Sequence, residues 1–183
     1  MTQPINLASL TNARGATFDE PFAMLEACHE RMARTLALLE RLRAHHASNG
    51  ADGQARQAAQ DVLRYFDLAA PHHHEDEERH VFPALMAGGD ASALALVGRL
   101  QQDHRSMEAH WRRARQVLEG IAAGTLAQLT PDEEGALDDF SGLYADHMEA
   151  EERLAYPAAQ AVLDGPAIAV MAREMRRRRG AGE

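Results

Sequence analysis

Apolar side chains recur at steps of three and four along four stretches of the chain, the period of a helix with one buried face. In the first, Phe22, Leu25, Met32, Leu36 and Leu39 follow this rhythm; in the second, Leu63, Phe66 and Ala70 do. Leu100, Met107, Trp111, Ala114, Leu118 and Ile121 mark the third, and Leu137, Phe140, Tyr144, Leu154 and Ala158 the fourth. Punctuation sets the ends. Asp19 as cap and an early Pro21 open a helix to about His45, and "SNGADG" stops it. The second runs from about Gln54 to Met86, where "GGD" intervenes, and the third from near Asp90 or Ala91 to about Ala123. Thr130-Pro131 starts the fourth, with acids in its first turn, and it reaches about Leu163. Gly165-Pro166 precede a short terminal helix. The prediction is an all-α, antiparallel up-down four-helix bundle over residues 19–163, a polar arm over 1–18, and a short basic C-terminal helix and tail over 164–183.

The same seams carry polar residues where Leu would be expected: His29, His73, Glu77, His104, His147 and Glu151. Each buried group left unpaired would cost several kcal/mol, on the order of 2–7 for a neutral one. Something must satisfy them, and a bound metal pair does so economically. A repeat supports this. Sliding the chain by 74 positions lays His73, Glu77, Glu78, Arg79 and Pro83 onto His147, Glu151, Glu152, Arg153 and Pro157, and Phe82 onto Tyr156; His29 and His104 lie 75 apart. Two helix pairs thus share one plan, a His on the first helix and His-x-x-x-Glu on the second, converging about a pseudo-twofold axis. His74 and Glu78 form a competing pair, but His74 falls on Met148 in the repeat and lies about 100° from the seam. His45, His46, His72, His80 and His110 lie off the pattern and read as surface residues.

Residues four apart project from one helix face, so an imidazole and a carboxylate can reach the same site. Four imidazoles and two carboxylates suit Fe, Mn or Zn better than Mg or Ca, which prefer oxygen shells. With two His on each ion and both Glu bridging, the carboxylates offset much of the charge, an oxo or hydroxo bridge offsets more, and each ion keeps an open position. Tyr144 reads as core, with a hydrogen bond to the site as the alternative; Cys28 adjoins His29 but points away from it; Pro71 and Pro83 predict kinks in the second helix.

Composition narrows the class. Hydrophobic residues make up 45%, charged residues 26% and aromatics 5%, with a formal charge of −9. That acidity argues against nucleic-acid binding, which needs a basic face; "RRRR" at Arg176–Arg179 reads as a solvated helix end. The single cysteine gives no internal disulfide. With neither a signal-peptide pattern nor an apolar run of about 20 residues, the expectation is a soluble, cytoplasmic protein without membrane contact. No Ser/His/Asp arrangement, phosphate loop or Cys-based metal motif fixes an enzymatic substrate.

"CHERM" from Cys28, "HHHEDEERHVFPAL" from His72, "DHRSMEAHW" from Asp103 and "HMEAEERLAYP" from His147 resemble the four ligand segments of the hemerythrin-like (HHE cation-binding) family. The resemblance spans about residues 19–163. It implies a cofactor of two non-haem iron ions, with His29, His73, His104 and His147 as terminal ligands and Glu77 and Glu151 as bridges. Oxygen carriers of the family have a fifth His four residues after the third-helix one, here Glu108, and place the fourth-helix carboxylate at the position of Glu152. The repeat favours Glu151. A ferritin-like site would want a second Glu-x-x-His beside Glu26-x-x-His29, and Gln101 stands in its place. The resemblance is to the four-His, two-Glu members, associated with iron sensing, iron–sulfur repair and responses to nitric oxide or oxygen. The expected partner is a small diatomic or peroxide ligand; an iron donor or sensor with metal-dependent folding, and oxygen storage, are the alternatives.

Overall fold

The computed structural model describes residues 17–181; the predicted polar arm lies outside the described residues except for its last two positions. The elements are α1 (Pro21–Asn49), α2 (Gly53–Asp76), a π-helical turn (Glu77–Val81), α3 (Phe82–Ala87), α4 (Ala91–Ala123), α5 (Pro131–Ser141), α6 (Ala145–Ala150), a second π-helical turn (Glu151–Ala155), α7 (Tyr156–Val162) and α8 (Gly165–Arg178). With α2–α3 and α5–α7 each taken as one stave, this is an antiparallel four-helix bundle, joined by α8. At one end, Arg43 of α1 pairs with Glu134 of α5 at 2.8 Å, and Arg56 near the start of α2 donates to the Ala122 carbonyl of α4. At the other end, Phe22, Leu85, Val97 and Ala159 share one cluster.

Local chemistry sets most boundaries as read. Asp52 and Asp90 accept N–H groups at the starts of α2 and α4, and Asp164 does the same for α8. Thr130 and Glu133 form a reciprocal capping box at α5. Gly124 closes α4 at φ 75°, a left-handed conformation that favours glycine. Asp19 does not cap α1: Glu20 occupies that position without a side-chain bond, and Asp19 pairs instead with Arg176 at 2.8 Å.

Three corrections concern the staves. The fourth is broken at Gly142–Tyr144, between α5 and α6, where Ser141-Gly142 supply little helix propensity. Glu151 then opens a π-helical turn, in which Tyr156 N–H bonds to the Glu151 carbonyl. The extra residue moves the seam on by one position, so Leu154 and Ala158 are exposed while Ala155 and Ala159 are buried. The second stave has the same turn at Glu77, with Phe82 N–H bonded to the Glu77 carbonyl. Pro83 and Pro157 follow these turns; lacking N–H donors, they sit where the ladder has already widened. Pro71 lies inside a continuous α2.

Burial falls into two apolar clusters, each large side chain contributing roughly 1.5–3 kcal/mol. One, around Leu39, Val62, Phe66, Leu118, Ile121 and Phe140, fills the end near the α1–α2 link. The other, around Leu25, Phe82, Leu100, Tyr156, Met171 and Met175, includes α8. The arginine run is not a solvated end. Arg178 donates from Nε to Oδ1 of the wholly buried Asp76 at 2.9 Å, and Arg179 approaches Oδ2 at 2.6 Å. His46 is likewise no surface residue: it is buried, and its Nε2–H donates to the Leu126 carbonyl at 2.8 Å. Neither partner is near in sequence, so neither pairing could be read from local pattern. Among the described residues no helix is long and apolar enough to cross a membrane.

Removing the Arg178 partner leaves Asp76 with one cation. We expect Arg178→Ala to lower the unfolding free energy by about 1.5–3 kcal/mol, the range for hydrogen bonds to charged groups, read from urea denaturation.

Candidate metal centre

The two apolar clusters are separated by a polar belt whose place follows from the seams. His29 falls between Leu25 of one cluster and Met32 of the other, and His104 between Leu100 and Met107. His73 and Glu77 lie between Ala70 and Val81, and His147 between Tyr144 and Ala150. All six candidate residues, Glu151 included, are at most 5% exposed.

The structure brings all six together in two halves. His29 Nε2 faces His73 Nε2 at 2.9 Å, and His104 Nε2 faces His147 Nε2 at 3.2 Å. The carboxylates are shared between these pairs. Glu77 places Oε1 3.2 Å from His73 and Oε2 3.5 Å from His104; Glu151 places Oε2 3.2 Å from His29 and Oε1 3.0 Å from His147. Glu77 Oε2 and both Glu151 oxygens nevertheless lack hydrogen-bond geometry to any partner. Buried acceptors brought to contact distance of imidazole nitrogens, yet not bonded to them, are available as donors to a cation. The residues present fit bound metal.

The neighbouring acids act one step out. His29 Nδ1–H donates to Glu152 at 2.8 Å, and His104 Nδ1–H donates to Glu78 at 2.9 Å. These bonds fix the tautomer and leave each Nε2 lone pair pointing inward, the support that metal-bound histidines normally have. Glu77 and Glu151 therefore face the centre while Glu78 and Glu152 hold its imidazoles. Asp103 supports His147 Nδ1 at 3.3 Å. Its counterpart by the 75-residue offset is Cys28, which is buried, and His73 Nδ1 has no hydrogen-bond partner.

Two further residues reach the belt, Tyr156, which the sequence reading passed over, and His74, which it weighed and set aside. Tyr156 hydroxyl donates to Glu77 Oε1 at 2.5 Å and lies 3.1 Å from His29 Nε2, with its ring stacked on that of His29. The repeat carried the signal, since Phe82, its counterpart, stacks on His104. Tyr144, the tyrosine considered from the sequence, packs against Phe66 and Phe140 in the apolar cluster. The second is His74, whose ring stacks on His104 with centroids 4.0 Å apart; one donor atom from each of His74, His104 and His147 lies within 4.8 Å of the others.

The Hemerythrin HHE cation binding domain matches residues 20–178. The chain belongs to that family. The match takes in α8 as well as the four staves. A relative from Haemophilus influenzae (strain ATCC 51907 / DSM 11121 / KW20 / Rd), described as an uncharacterized protein, is 27% identical over 164 residues, covering 90% of this chain and 92% of its own length. This hemerythrin-family centre thus has side-chain clusters able to hold a cation, in a family named for binding one.

Electrostatics describe what the centre does without metal. Burial opposes the charged form of His104, but Glu151, Glu77 and Glu78 outweigh it and push its pKa up to about 11 from 6.5. Burial and the Glu77 charge oppose ionised Glu151, yet the imidazoles of His104, His147 and His29 crowded around it hold it down to about 2 from 4.5. His74 moves the other way: burial and then the His104 charge hold it well below 6.5, as a neutral imidazole. The raised His104 stabilises the metal-free fold fully below pH 6.5 and loses that contribution as pH climbs toward 11. The depressed Glu151 stabilises it above pH 4.5 and loses that contribution toward pH 2. Metal-free protein should therefore unfold at its highest denaturant midpoint between pH 4.5 and 6.5 and at lower midpoints on either side. In metal-loaded protein the alkaline decline should be reversed, because protons compete with metal for the imidazoles.

Proposed function

We propose that this chain is a non-haem di-iron protein that binds or reacts with O2, NO or peroxide, in iron, oxidative or nitrosative stress. His29 and His73 would hold one ion and His104 and His147 the other, with Glu77 and Glu151 offering carboxylate oxygens to both. The observation that carries this reading is the sharing of carboxylates: each glutamate offers one oxygen to each histidine pair. A mixed nitrogen and oxygen donor set of this kind suits iron, with Mn or Zn as the metals it would also accept.

Bound iron would supply one-electron redox change and open positions for a small ligand. The protein supplies the rest. Its two apolar clusters exclude bulk water, Glu78 and Glu152 orient His104 and His29, and the Tyr156 hydroxyl holds Glu77. Burial of the belt limits the reactant to something the size of a diatomic molecule or peroxide. No nucleic-acid or membrane partner is part of this reading, and the compartment we infer is the cytoplasm.

A second reading, an iron donor or sensor for iron–sulfur repair, is favoured by the unbonded Glu77 and Glu151 oxygens. Those buried acceptors make metal occupancy a folding term. Oxygen storage is a third use of the same centre.

Purified protein should carry two irons per chain, and His73→Ala/His147→Ala should lose them. Anaerobic protein exposed to O2 or NO should develop new near-ultraviolet and visible charge-transfer bands. Reversal under vacuum would support reversible ligand binding, whereas irreversible oxidation would support redox or repair chemistry. A single zinc ion, or none, unchanged in the double variant would overturn the di-iron assignment. For the sensor reading, iron at a thousandfold over its Kd should add about 4 kcal/mol to unfolding; apo and loaded forms of equal stability would sink it.

A further inference from the structure

We propose that His74 is a fifth imidazole of the centre, a ligand to the ion held by His104 and His147. The inference rests on the two-ion reading above and adds a residue that the repeat had set aside.

The centre is nearly twofold, and it departs from that symmetry at a few matched positions. Tyr156 stands opposite Phe82, Cys28 opposite Asp103, and Met148 opposite His74. Tyr156 brings a hydroxyl to the His29 and His73 half. In the other half the stacked residue is Phe82, which brings no polar atom. His74 supplies one instead.

Adjacent residues on a helix diverge by about 100°, which ordinarily aims them at different surroundings. Here that divergence is useful, because α2 packs against both α1 and α4. His73 turns toward α1 and meets His29; His74 turns toward α4 and lies over His104. The His74 and His104 rings are within 13° of parallel, and His147 stands across from them at 6.3 Å and 73°. Donor atoms of the three imidazoles lie within 4.8 Å of one another. This is a cluster of nitrogen donors separate from the group formed by His29, His73, Glu77 and Glu151.

A histidine retained for packing alone would have its nitrogens satisfied, as His46 does through the Leu126 carbonyl. His74 Nε2 is buried and has no hydrogen-bond partner. Leu or Phe would fill the same space without stranding a polar atom. In the opposite half the helix makes that choice: Met148 packs against the apolar cluster. The structure therefore assigns three imidazoles to one ion and two to the other, so the two ions are unequal in affinity and environment.

The test is an anaerobic Fe(II) titration against a competing chelator, with wild type beside His74→Phe. Phenylalanine keeps an aromatic ring against His104 and removes only the donor. Losing even an outer partner of a metal ligand costs roughly 10–100-fold in affinity. One of the two ions in His74→Phe should be weakened at least to that extent and the other left unchanged. Mössbauer spectra of the 57Fe-loaded proteins give a readout that packing alone would not move: one of two equal quadrupole doublets should shift in the variant. Circular dichroism of the metal-free variant shows whether it folds, and His74→Gln repeats the comparison if it does not. A folded variant that keeps both wild-type affinities and both doublets would overturn the assignment of His74 and leave the two-ion reading standing. Wild type that binds no iron would overturn both.

Discussion

Everything in this bundle is arranged around a polar belt that its own side chains do not satisfy. Four imidazoles and two carboxylates cross the middle of a molecule whose ends are filled with Leu, Met, Phe and Tyr. Burial of the apolar ends is what brings the four staves together, while the belt pairs its imidazoles with carboxylates and still leaves buried acceptors over. Two of the carboxylate oxygens on Glu151 and one on Glu77 have no hydrogen bond. Buried polar groups in that condition are costly in a low-dielectric interior. The conflict is resolved by any cation that takes these atoms as ligands. Under the proposed reading, the same atoms would link the stability of the fold to its metal.

The backbone is adapted to that purpose at two matched places. A π-helical turn starts at each inward carboxylate, Glu77 and Glu151, and each is followed by a proline. The extra residue in the turn alters which side chains face inward after the glutamate. It brings Phe82 and Tyr156 over His104 and His29, and it leaves the neighbouring Glu78 and Glu152 beside the same imidazoles. A regular helix with the period read from the sequence would have put Leu154 and Ala158 at the core instead. One widened turn per half thus positions an inward carboxylate, the support for a histidine and an aromatic cover.

The stave order and the six inward residues were legible because both rest on periodicity and repetition, which are local or near-local properties. Thr130 also declared itself, since a cap needs only its own helix. What escaped the sequence depended on contacts between distant segments or on a change of helical period. Leu154 and Ala158 failed because the period changes at Glu151. Arg178 and Arg179 were read as solvated because Asp76 sits inside an acidic run, with nothing to single it out from Glu75 or Glu78. His74 was set aside because a 100° offset excludes a residue from a two-helix seam, whereas α2 has neighbours on two sides. Tyr156 was visible as the partner of Phe82 in the repeat; the added hydroxyl was the signal.

The departures from twofold symmetry make the two halves unequal in rigidity as well as chemistry. Glu77 is held by the Tyr156 hydroxyl, and the segment before it is anchored through Asp76 to Arg178 and Arg179 of α8. Glu151 has no comparable clamp: both its oxygens are unbonded, and Phe82 offers no hydroxyl in the matching place. It also lies in the interrupted stave, where it opens the π-helical turn directly after the six-residue α6. Short helical segments draw their stability from tertiary contacts rather than from their own hydrogen bonds. Under the two-ion reading, Glu151 would add a bond to those that Glu152 makes with His29, His147 with Asp103 and Tyr156 with Glu77, which already tie this stave to its neighbours. All four staves contribute to both apolar clusters, so metal binding would add to packing that already orders α6 and its flanking turns. A centre built this way would couple the presence of its ions to the stability of the interrupted stave, so that a ligand-binding site and a sensor could share the same six residues.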